Sequence, residues 1–117
     1  MSIDDAIGEL LKISGDVTSV AILDENGTLL GSGPGKAQAA VGEAAGRLWA
    51  AAGHAAERLA REGLEQLAVE SGEGGAFMVR DEGRIIVALT GRRPMTGLVF
   101  YDLHACLSAA FGAEEDS

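Results

Sequence analysis

The chain is poor in several things that usually announce a function. It holds one cysteine, so an internal disulfide and a cysteine-rich zinc site are both excluded. Its two histidines, His54 and His104, stand in no metal-ligand spacing. Aromatic residues make up 4%, with one Trp and one Tyr, so the apolar mass is mostly small side chains. Basic residues number 9 against 18 acidic, a net charge of −9, and the excess acid is spread over both halves. With no basic arm or stripe to neutralise phosphates, nucleic acid is not an expected partner, and anionic membrane surfaces are disfavoured for the same reason. No 18-residue run is free of charge and apolar throughout, so membrane insertion is not expected. The start, Met1-Ser2-Ile3-Asp4-Asp5, has neither a basic segment nor an apolar one, which argues against a signal peptide. A cytoplasmic protein is the expectation, and the preference for Arg, Ala and Gly over Lys suggests a bacterial, GC-rich genome.

What the chain does have is small apolar residues. Its 117 residues allow one domain, 47% are hydrophobic, and Gly alone counts 17. A core made largely of Ala and Gly is thin, and a domain this small buries only about two-thirds of its surface. Dimerisation would add burial.

The periodicities predict the order αββαβββα. Ser2 reads as the N-cap of a first helix, with Asp4 and Asp5 in its first turn and Gly15 as its stop. Val17–Leu23 and Thr28–Ser32 read as strands joined by the turn Asp24-Glu25-Asn26-Gly27. A long helix is expected over 38–62, ended by Gly63. Strands at Leu67–Ser71, Ala76–Arg80 and Arg84–Thr90 follow, separated by turns at 72–75 and 81–83. A last helix is expected over Thr96–Phe111. The fold class is α+β: one five-stranded antiparallel sheet with helices packed on it, in a single domain over 1–112, with an acidic tail over 113–117.

The long helix carries two apolar faces. At 100° per residue, Val41, Ala45, Leu48, Ala52, Ala55 and Leu59 share one direction, the face expected on the sheet. Beside it run Gly42, Gly46, Trp49, Gly53, Ala56 and Ala60. A helical Gly costs about 1 kcal/mol relative to Ala, so three in one row call for a reason. Close approach of a second helix is one, most simply the same helix of a two-fold-related copy; tolerated glycines and a core Trp49 are the other. Leu67 and Val69, on the strand after the helix, are expected at a sheet edge, either open to pairing with a second chain or blunted in solvent by the flanking Glu65 and Glu70. The dimer interface is therefore expected at Gly42, Gly46, Trp49, Gly53, Ala56, Ala60, Leu67 and Val69.

Catalytic and cofactor motifs are missing. Gly31-Ser32-Gly33-Pro34-Gly35-Lys36 resembles a phosphate loop, but Leu30 stands where the first glycine is needed and Ala37 where Ser or Thr is needed. Gly31-x-Gly33 and Gly72-x-Gly74 lack the third glycine of a dinucleotide fingerprint, having Lys36 and Phe77 in its place. These glycines read as turn residues. Cys106 falls on the apolar arc of the last helix with Val99, Phe100, Leu103, Leu107, Ala110 and Phe111, so it reads as a buried thiol. His104 and Cys106 are two apart on a helix and cannot act together. Asp102 could orient a base, but no nucleophile accompanies it. Arg92 and Arg93 form the only adjacent basic pair. They read as solvated loop residues or, with Arg80 and Arg84, as a local positive patch for partner recognition. No catalytic, metal or cofactor residue is assigned.

Three segments together resemble the roadblock/dynein light chain family. They are Ser19-Val20-Ala21-Ile22-Leu23-Asp24-Glu25-Asn26-Gly27, the helix-to-strand passage Gly63-Leu64-Glu65-Gln66-Leu67-Ala68-Val69-Glu70, and Arg84–Thr90 followed by Met95-Thr96-Gly97-Leu98-Val99. The likeness spans roughly 3–111, and bacterial members are the nearest in kind. It implies a roadblock/profilin-like sheet with the long helix on one face. It also implies homodimers or heterodimers joined through that helix and the adjacent strand. Bacterial members are partners or regulators of small Ras-like GTPases, and eukaryotic members are adaptor subunits. The resemblance thus implies a non-catalytic dimeric scaffold that binds a small Ras-like GTPase and modulates its nucleotide cycle. An assembly adaptor without effect on hydrolysis, or a PAS-like small-ligand sensor, are the alternatives.

Overall fold

The first helix begins as its cap dictates. In the computed structural model, which describes residues 2–33, 50–72 and 74–115, the Asp5 amide donates to Ser2 Oγ at 3.1 Å and α1 runs Ile3–Ile13. It ends at Ser14, one residue before the expected glycine stop. The Ser14 hydroxyl accepts from the Val17 amide and turns the chain into β1, Val17–Leu23. Asp24 organises the hairpin that follows. Its Oδ1 accepts from the amides of Asn26 and Thr28, both at 2.9 Å, and Gly27 takes φ +85°. β2 spans Leu29–Gly33.

Helix α2 is described over 50–62. Gly63 (φ +70°) closes it, with the Leu64 amide donating to the Leu59 carbonyl, the bond of a Schellman cap. β3 (Gln66–Ser71), β4 (Gly74–Asp81) and β5 (Arg84–Thr90) follow, then α3 (Thr96–Glu115). The β4–β5 turn has positive φ at Glu82 and Gly83, the pattern of a tight type I′ hairpin. α3 runs to Glu115, past the expected end at Phe111.

All pairings are antiparallel and the sheet order is β2-β1-β5-β4-β3. Because side chains alternate along a strand, β1, β3, β4 and β5 feed two cores, one on each face of the sheet. Ile7, Leu10, Val20, Ile22, Phe77, Val79, Ile86, Leu103 and Phe111 form one, under α1 and α3. Phe100 meets Phe77 edge to face there, ring centres 5.3 Å apart. Ala52, Ala55 and Leu59 of α2 close the other over Ala76, Met78, Ile85, Val87 and Leu89. These three are the described part of the expected sheet-facing stripe.

Several glycines expected in turns lie in strands instead. A Cβ on Gly31 would come within 2.6 Å of Ile3 Cγ2, and one on Gly33 within 3.3 Å of Ile7 Cγ2. These positions let α1 lie directly on β2. Gly74 and Gly75 belong to β4, and Gly75 sits under the Phe77 ring at a position where a Cβ would be 2.8 Å from Cε1.

Candidate functional site: a regular sheet edge and a small-residue helix face

β3 is one edge of the sheet and pairs with β4 along its whole length without a register shift. The Arg80 amide donates to the Glu65 carbonyl at 2.7 Å just before the strand begins. In an antiparallel ladder, bonded and non-bonded pairs alternate. The backbone groups of Leu67, Val69 and Ser71 therefore point at β4, and those of Gln66, Ala68 and Glu70 point outward. Leu67 and Val69 place their side chains on the α2 side of the sheet, half-buried against the second core.

On α2, Gly53 is exposed and a Cβ added there would meet nothing within 4 Å. Ala56 is half-buried and Ala60 exposed. Gly53 and Ala56, with Ala52, border a groove of about 220 Å³ over Ala21 and Leu23 of β1 and Val87 of β5. Gly42, Gly46 and Trp49 lie outside the described residues. The described members Gly53, Ala56, Leu67 and Val69 are thus on the α2 side of the sheet. Gly53 and Ala56 border β1, and β5 and β4 lie between β1 and β3.

The arginines do not assemble as expected. Arg80 Nε donates to the Leu64 carbonyl at 3.1 Å, and the Arg84 guanidinium stacks 3.7 Å over the Phe111 ring. Arg92 and Arg93 are exposed in the β5–α3 loop, with φ +55° at Arg93. Six strand steps from Arg84 to Thr90, at about 3.3 Å each, separate the two pairs by roughly 20 Å. A common positive patch is therefore ruled out by the run of β5, while Arg92 and Arg93 remain available by themselves.

The other polar candidates separate as well. His54 is exposed, and His104 Nε2 lies 3.3 Å from Gln66 Oε1. Cys106 is buried, and burial pushes its thiol up to about 11, so it stays protonated and unreactive at neutral pH. Asp102 is buried too, and sequence reasoning gave it no more than a base-orienting role. Among the described residues, no three His, Cys, Asp or Glu side chains gather where they could hold a metal, and no helix is long and apolar enough to cross a membrane.

A model of the Roadblock/LC7 domain matches residues 3–90. The chain belongs to this family. Solved roadblock-type structures superpose over nearly its full length. A Roadblock/LC7 domain from Streptomyces avermitilis is 19% identical, covering 98% of this chain and 99% of that one, with a TM-score of 0.65. MglB from Myxococcus xanthus is 19% identical, over 98% and 96%, at 0.67. MglC from the same organism is 13% identical, over 97% and 99%, at 0.70. No curated protein sequence matches. In this roadblock chain, the expected sheet, helix order and edge position of β3 are all present.

Proposed function

We propose that this roadblock domain is a non-catalytic module that forms a dimer, binds a small Ras-like GTPase and modulates its nucleotide cycle. The observation that carries the dimer is the regular β3 edge, with the outward amides of Gln66, Ala68 and Glu70 available for a second copy. The small residues Gly53, Ala56 and Ala60 on α2 offer a helix face that a two-fold partner would approach; the sequence periodicity puts Gly42, Gly46 and Trp49, outside the described residues, in the same register. The GTPase is supported by family membership, and the lack of any nucleotide-binding motif in the chain fits a module that acts on a partner's nucleotide. Such a module acts by biasing the switch regions of its partner. Where it supplies charge to the transition state, the exposed Arg92 and Arg93 are the candidates.

The test is GTP hydrolysis by each Ras-like GTPase of the source organism, with and without this chain. We expect no turnover by the chain alone, and a changed rate or nucleotide-exchange rate for one GTPase. Complex formation with no change in either rate would leave an assembly adaptor. Binding to none of the GTPases would remove the reading altogether.

A further inference from the structure

α1 and α3 lie antiparallel on the face of the sheet away from α2. The Met95 amide at the start of α3 donates at 3.1 Å to Asp16 Oδ2, just beyond the end of α1. Between the helices runs a groove of about 160 Å³, lined by Ala6, Leu10 and Ile13 on one side and Asp102, Ala105 and Ala109 on the other.

The lining is apolar except for Asp102 and, at the exposed rim, Glu9. Asp102 is 7% exposed, and its carboxylate has no hydrogen-bond or ion-pair partner among the described residues. A buried, unpaired carboxylate is one of the costlier features a fold can carry. Among the described residues no basic side chain lines the groove, and its other charged residue, Glu9, is also acidic. Ile13 and Leu98, one turn before Asp102, are large apolar residues left in solvent beside it.

We propose that this groove receives an arginine or lysine side chain carried on an apolar helical stretch of a partner protein. The volume is below the roughly 300 Å³ at which small-molecule pockets begin, and suits one long side chain. The apolar walls match its methylene stem, and Asp102 and Glu9 match its charge. Ile13 and Leu98 would cover the apolar residues that flank the anchor. A central, desolvated anchor of this kind is how binding energy concentrates in protein interfaces. This inference does not depend on the dimer or the GTPase, since it concerns the opposite face of the sheet. Its α3 half also lies beyond residues 3–90, where the family model matches.

The test uses the full chain, ¹⁵N-labelled, and an alanine-based helical peptide bearing one Arg flanked by Leu one turn before and after. A second peptide has Gln in place of Arg. The Arg peptide should give saturable shifts at Ile13, Asp102, Ala105 and Ala109. The Gln peptide, and the Arg peptide on Asp102→Asn, should bind about tenfold more weakly, as expected for losing one charge-assisted contact. Asp102→Leu should abolish binding and raise Tm, because it removes the unpaired carboxylate. The proposal is overturned if the Arg peptide does not saturate, or if its shifts fall elsewhere. It is also overturned if the two peptides bind alike, if Asp102→Asn binds undiminished, or if Asp102→Leu lowers Tm.

Discussion

The two edges of the sheet are finished differently. β2 is five residues long, its pairing with β1 slips between Ile22 and Leu23, and α1 lies on it through Gly31 and Gly33. Irregularity and a covering helix are both ways of blunting an edge. β3 is six residues in unbroken register with β4. Its outer flank carries Gln66, Ala68 and Glu70, and only the carboxylate of Glu70 resembles an edge guard. One edge is closed by the chain itself, while among the described residues no strand pairs with the outer side of the other. The difference locates where the proposed dimer would add burial to this small domain: on the β3 side.

Substitutions on the two edges should therefore behave differently. The largest effect on stability is expected at the closed edge. Gly31→Val puts a Cβ 2.6 Å from Ile3 Cγ2, and overpacking of this kind costs about 1–3 kcal/mol. Chemical denaturation should show the loss, with the tertiary signal of α1 weakened first. A smaller effect is expected from Ser2→Ala, which removes the cap of the covering helix and should cost about 1 kcal/mol. If either change leaves the denaturation midpoint unmoved, α1 is not what closes the β2 edge. The smallest effect is expected on β3: Glu70→Lys changes an exposed side chain whose backbone points away from β4. It should shift monomer stability by no more than about 0.5 kcal/mol. A large loss there would mean that β3 is already held by something within the chain.

Much of the fold was legible from local signals. Ser2, Asp24 and Gly63 each act through bonds within a few residues, and each ends or starts its element as expected. β1 and β5 carry enough branched apolar residues to fix their bounds to the residue. What was not legible depended on distant partners. Gly31, Gly33, Gly74 and Gly75 look like turn residues because glycine frees the backbone wherever it stands. Only the approach of Ile3, Ile7 and Phe77 shows that here it is the missing side chain that matters. Arg80 and Arg84 looked like companions of Arg92 and Arg93 until the length of β5 separated them. The acidic residues of the tail read as lying beyond a helix that ends at Phe111, whereas α3 continues to Glu115. For the candidate interface, the edge position of β3 followed from strand order. That Gly53 and Ala56 border β1 did not, because a helix wheel gives directions and no strand neighbours.

Sedimentation velocity on the wild type, Glu70→Pro and Gly53→Leu tests the proposed dimer most directly, the β3 edge through residue 70 and the helix face through residue 53. Proline at 70 removes an outward amide while leaving the β4 ladder intact, as edge strands tolerate. Leucine at 53 enters space that is empty in the single chain. The account predicts about twice the 12.0 kDa monomer mass for the wild type. It predicts about 12.0 kDa for each variant, with circular dichroism unchanged. A wild type that sediments as a monomer at micromolar concentration, or a Glu70→Pro variant that stays dimeric, would contradict it.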